Sequence, residues 1–156
     1  MRVRISSFVV VLGAALFLAA MPLPATGQGG SPPAPTAPLT GRVQVPAAGE
    51  AAMLDGIITV RSTVSADPDG GPPILSYSCE ASGRAAGESS GATFTVSGVD
   101  SGETSIGQSL PADVGVACSL SLVSGSLRQQ FQLTLQAGLD ETGTITSLVI
   151  RTIAAL

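Results

Sequence analysis

The sequence predicts an all-β protein, a β-sandwich of about seven to eight short strands behind an export leader and a Pro-rich linker. Three observations carry this. From Gly41 onward apolar residues recur with period two rather than the helical 3.6. Clusters of Gly, Pro, Ser and Asp interrupt these runs at short intervals. Beyond the leader no segment reads as a long amphipathic helix.

Residues 1–27 have the three parts of a secretory signal. Arg2 and Arg4 supply the positive start, Phe8 to Ala20 is an apolar run of 13 residues, and Met21 to Gly27 contains Pro. Ala25 and Gly27 put small residues at the −3 and −1 places, so cleavage is expected before Gln28. A spanning helix needs about 20 apolar residues, and Pro22 and Pro24 end this run too early. Export by a Sec-type signal to the periplasm or the exterior follows, with no membrane span expected in the mature chain. Residues 28–40 read QGGSPPAPTAPLT and are expected as a disordered linker leaning to polyproline II. The folded domain is assigned to residues 41–156.

Within that domain each strand is justified by one apolar face. Val43 and Val45 alternate with polar neighbours, then Ile58, Val60 and Val64, then Leu75, Tyr77, Cys79 and Ala81. Ala92, Phe94 and Val96 give the fourth, and Val114, Val116, Cys118, Leu120 and Leu122 the clearest. Leu127, Phe131, Leu133 and Leu135 follow, and Gly143 to Ile153 closes the set. Turn signals stand at Asp67–Pro73, Gly83–Gly91, Gly98–Gly102 and Ser124–Ser126.

Composition removes whole classes of chemistry. The chain contains no His, Lys, Asn or Trp. Without His or Lys there is no conventional triad, Schiff base or zinc site, and without Asn no N-glycosylation acceptor. After cleavage five Arg stand against 11 acidic residues, which leaves a net charge of −6. That balance disfavours nucleic acid and anionic lipid.

Cys79 and Cys118 both fall on apolar strand faces. In an exported chain with an even count they are expected as a disulfide, the alternative being two separate buried thiols. Closing a 39-residue loop stabilises a fold by about 4 kcal/mol.

Ser65 to Tyr77, SADPDGGPPILSY, resembles the B–C corner of a bacterial fibronectin type III domain. Leu110 to Cys118 is similar to that family's E–F corner, with Val116 in place of the corner Tyr and Val64 in place of the usual core Trp. The Asp-Pro-Asp-Gly turn also resembles PKD and cadherin-like domains. Each resemblance implies an immunoglobulin-like sandwich, and the fibronectin one implies that the two Cys strands are neighbours in one sheet.

Gly87-Glu88-Ser89-Ser90-Gly91 matches a nucleophile-elbow pattern, but no His is present to activate Ser89. No catalytic residue is assigned. No cofactor is expected; the alternative is calcium at Asp67 and Asp69, whose plainer reading is a capped turn. Asp140-Glu141 reads as a solvated turn. Sandwiches present contacts on loops, so Asp67–Pro73, Gly83–Gly91 and Gly98–Gln108 are the expected binding surface. Asp67, Asp69, Gly70, Gly71, Arg84, Glu88, Asp100 and Glu103 are its candidate residues. The expected function is an exported non-catalytic module for binding, adhesion or surface structure, with a protein or cell-surface partner. Two alternatives stand beside it: a subunit that assembles through the strand Thr144–Ile153, and a secreted hydrolase using two carboxylates.

Overall fold

The computed structural model describes residues 33–107 and 109–156. The signal peptide and residues 28–32 of the linker lie outside the described residues, as does Gln108 at the end of one expected loop. The chain forms β1 (Thr36–Val45), a 3-10 turn (Pro46–Ala48), β2 (Glu50–Ser65), β3 (Ile74–Gly87), β4 (Thr93–Ser105), β5 (Ala112–Ser124), β6 (Leu127–Leu139) and β7 (Ile145–Ala155). Seven strands in one antiparallel sheet, in the order β1-β2-β3-β4-β5-β6-β7, establish the all-β class.

Period-two alternation explains the elements directly. In β5 the burial pattern puts Val114, Val116, Cys118, Leu120 and Leu122 inside while the intervening residues face solvent. Leu39, Val43, Ile58, Val60, Phe94, Phe131, Leu133 and Leu135 fill the same interior from the other strands. Each such side chain contributes about 1.5–3 kcal/mol on burial. Among the described residues no polar or charged side chain is buried.

Three boundaries differ from the sequence reading. β1 begins at Thr36, so residues 36–40 belong to the sheet: Ala37 and Leu39 are buried, and Pro38 is tolerated because β1 is an edge strand. Residues 83–87, expected in a loop, continue β3, and residues 98–105 continue β4. The glycines that read as breakers there sit inside strands. Gly98 and Gly102 occupy inner-face positions where a Cβ would strike Leu120 Cδ2 at 2.7 Å and Tyr77 Oη at 2.6 Å.

The sheet folds sharply along β4. Its ladder with β5 covers only Thr95–Ser97 against Ser121–Val123, whereas β3 and β4 pair over their whole shared length. Strands two apart in a flat sheet lie about 9.5 Å from one another. Cys79 on β3 and Cys118 on β5 have Cα atoms 6.1 Å apart, at disulfide-bonding distance. The corner brings β3 and β5 face to face, so the curled sheet encloses its core between two halves as a sandwich does. The Cys strands are therefore not ladder neighbours, as the fibronectin resemblance implied; β4 stands between them. At the opposite side of the curl, β1 and β7 meet without a ladder.

Candidate functional site

The corner at β4 is held by side chains that replace backbone pairing. In an antiparallel strand, alternate residues turn their N–H and C=O to the same neighbour. Ser121 still pairs with Ser97; two and four residues back, Ser119 and Ala117 face β4 beyond the end of the ladder. The Ser119 N–H donates to Asp100 Oδ2 at 2.7 Å, and the Ala117 N–H donates to Tyr77 Oη at 3.3 Å. The Tyr77 hydroxyl in turn donates to the Ala117 C=O at 3.2 Å. The bond from the Ser119 N–H is the main reason the Asp100 carboxyl lies below the usual Asp range.

Two further carboxylates fix turns. Glu50 accepts the Ser89 and Ser90 N–H groups at 2.9 and 3.0 Å and the Ser90 hydroxyl at 2.5 Å. These bonds, the Ser90 hydroxyl first, lower its pKa. Asp140 accepts the Thr142 hydroxyl at 2.6 Å, the Thr142 N–H at 2.8 Å and the Thr144 N–H at 3.0 Å, and is likewise lowered, the Thr142 hydroxyl first.

The expected site residues are not brought together. Asp67, Asp69, Gly70 and Gly71 lie in the β2–β3 connection, and Glu88 in the β3–β4 turn at the opposite end of the strands. Asp67 Oδ1 accepts the Asp69 N–H at 3.0 Å and the Asp67 C=O accepts the Gly70 N–H at 3.1 Å, the bonding of a capped turn. Glu88 pairs with Arg42 at 2.7 Å. Arg84 is exposed in mid-β3, in register with Asp55 and Thr95. Asp100 and Glu103 lie in β4, where Glu103 accepts the Ser76 hydroxyl at 3.2 Å. Ser89 sits in a strand-to-strand turn. Among the described residues no three His, Cys, Asp or Glu side chains gather as a metal would need. No helix among them is long and apolar enough to cross a membrane.

Sequence reading did not assign the bonding roles of Glu50 and Tyr77, nor the seam between β1 and β7. Asp100 carried a signal, an acid at an inward position of an alternating strand; Glu50 carried none, because its partners are 39 and 40 residues away. The seam holds a groove of about 390 Å³. Ala37, Pro38 and Thr40 line one wall and Leu148 to Ile153 the other. Leu148, Ile150 and Ile153 are only partly buried, and Val149 is 47% exposed. Ile153 closes one end of the groove, its side chain lying over Gly41. Arg151 is steadied by Gln136, whose Oε1 accepts its Nε–H at 2.6 Å. What this arrangement offers chemically is apolar contact beside two unladdered strand edges.

Comparison of the chain with protein-family models, with curated proteins and with solved structures finds no match.

Proposed function

We propose that this chain is an exported, non-catalytic binding module of immunoglobulin-like type whose contact surface is the β1–β7 seam. The observation that carries the reading is the seam itself, where two strand edges flank an apolar groove. The leader supports export, and the acidic balance supports a protein partner rather than nucleic acid. Glu50, Asp100 and Asp140 are engaged as acceptors of backbone N–H groups, which supports a structural role for these three carboxylates.

Assembly through the last strand remains the second reading, favoured by the same edge: β7 contains no Pro, no Gly and one charge, Arg151. A photo-crosslinking residue at Thr152, in the groove, compared with one at Thr95 on the outer face of β4, tests both in the producing cells. A distinct adduct at Thr152 but not at Thr95 is expected. An adduct between two copies of this chain favours assembly, and adducts only at Thr95 contradict the seam as the contact surface.

A further inference from the structure

We infer that the far edge of β4, from Val99 to Glu103, takes up an extended, basic segment of a partner protein as an added antiparallel strand. This surface is separate from the seam and does not rest on the seam reading.

The corner leaves that edge open. In the part of β4 that still pairs with β5, Ser97 lies opposite Ser121. Alternate residues of a strand turn their N–H and C=O to the same side, so those of Val99, Ser101 and Glu103 point where β5 would continue. β5 does not stay there. Two residues back along it, Ser119 is reached by the Asp100 side chain, and Cys118 already lies opposite Cys79 of β3, with Cα atoms 6.1 Å apart. Tyr77 of β3 likewise reaches Ala117. β5 has passed from beside β4 to beneath β3, while β4 stays laddered to β3 as far as Ser105.

The two sides of the break are treated unequally. On β5 the Ser119 N–H is taken by Asp100, and both backbone groups of Ala117 by Tyr77. On β4 Asp100 Oδ1 accepts the Ser101 N–H at 2.9 Å, and among the described residues no side chain takes the N–H or C=O of Val99 or Glu103. An unpaired strand edge is a template for another strand. Val99 is 79% exposed, more than any other large hydrophobic among the described residues, and Ser101 and Glu103 are exposed with it.

Charge selects the occupant. Glu103 accepts the Ser76 hydroxyl at 3.2 Å, a neutral partner, and no cation among the described residues pairs with it. Glu80, in register with Val99, is already paired with Arg61. An antiparallel segment on this edge sets one side chain beside each of Val99, Ser101 and Glu103. The complement is apolar, hydroxylic and basic in that order, with Arg or Lys beside Glu103. A second copy fits poorly. Two β4 strands paired antiparallel about Ser101 would set each Val99 against a Glu103 and bring Asp100 and Glu103 of both copies together.

The probe is the peptide Thr-Arg-Thr-Thr-Thr-Val-Thr with blocked ends, titrated into the purified protein while backbone amide resonances are followed. Shifts and slowed exchange are expected at Val99–Glu103. Methylating the backbone nitrogens of its Arg, central Thr and Val is expected to weaken binding by about tenfold or more, because those three N–H groups face β4. Glu103→Arg is expected to weaken the same peptide by a similar factor and to bind the version with Glu in place of Arg. An absence of shifts at millimolar peptide, equal binding of the methylated peptide, or indifference to Glu103→Arg overturns the inference. So do shifts at the same amides when the protein is concentrated without peptide, which would make the occupant a second copy. The edge begins about 13 Å along β4 from Thr95, so the crosslinks at Thr152 and Thr95 test the seam while these titrations test the edge.

Discussion

The Tyr77 hydroxyl bonds both backbone groups of Ala117, accepting its N–H at 3.3 Å and donating to its C=O at 3.2 Å. One side chain from β3 thus reaches past β4 to occupy a ladder position on β5. Tyr77→Phe leaves that N–H and C=O without their partner. It is expected to cost about 1–3 kcal/mol of unfolding free energy, measured by urea titration with an unchanged m-value.

Gly102→Ala tests the same contact from the other side. The added Cβ falls 2.6 Å from Tyr77 Oη, so the ring must shift and Ala117 loses its partner. A loss of about 1–3 kcal/mol is expected. In the Tyr77→Phe background the loss is expected to be smaller, because the hydrogen bond is already gone. Equal losses in both backgrounds would separate Gly102 from the tyrosine.

The Cys79–Cys118 pair spans the corner at a Cα separation of 6.1 Å. Cys79→Ser with Cys118→Ser is expected to lower the unfolding free energy by about 4 kcal/mol, the value for a closed loop of this length. Non-reducing mass spectrometry checks the bond: the intact protein is two hydrogens lighter than its reduced form.

Glu50, Asp100 and Asp140 all have folded pKa values below their ordinary ones. A depressed carboxyl contributes stability that is present above its unfolded pKa and lost as pH falls through the folded value. The melting temperature is therefore expected to hold from neutral pH to about 4 and to drop below it. The triple variant Glu50→Gln, Asp100→Asn, Asp140→Asn should start lower at neutral pH and show a shallower acid limb. An unchanged limb would place the acid sensitivity elsewhere.

Faces were legible in the sequence because a half-buried strand writes its inner side every second residue, as in Val114 to Leu122. Lengths were less so. Pro38, Gly83, Gly98 and Gly102 read as breakers. The structure uses Pro38 on an edge and the two β4 glycines where Leu120 and Tyr77 need the room of a missing side chain. The cysteine pairing followed from compartment and count, but the β4 corner that brings the two strands together is set by non-local packing. The seam depends on strand order and strand parity, which no local pattern encodes.

The open seam is the central claim, and backbone amide hydrogen exchange of the purified protein tests it most directly. The account predicts that groove-facing amides of Thr36–Thr40 and Leu148–Thr152 exchange fast, while those of β2, β3, β5 and β6 are protected. Protection along both β1 and β7 equal to that of the interior strands would mean that the two edges are already paired, and would contradict it.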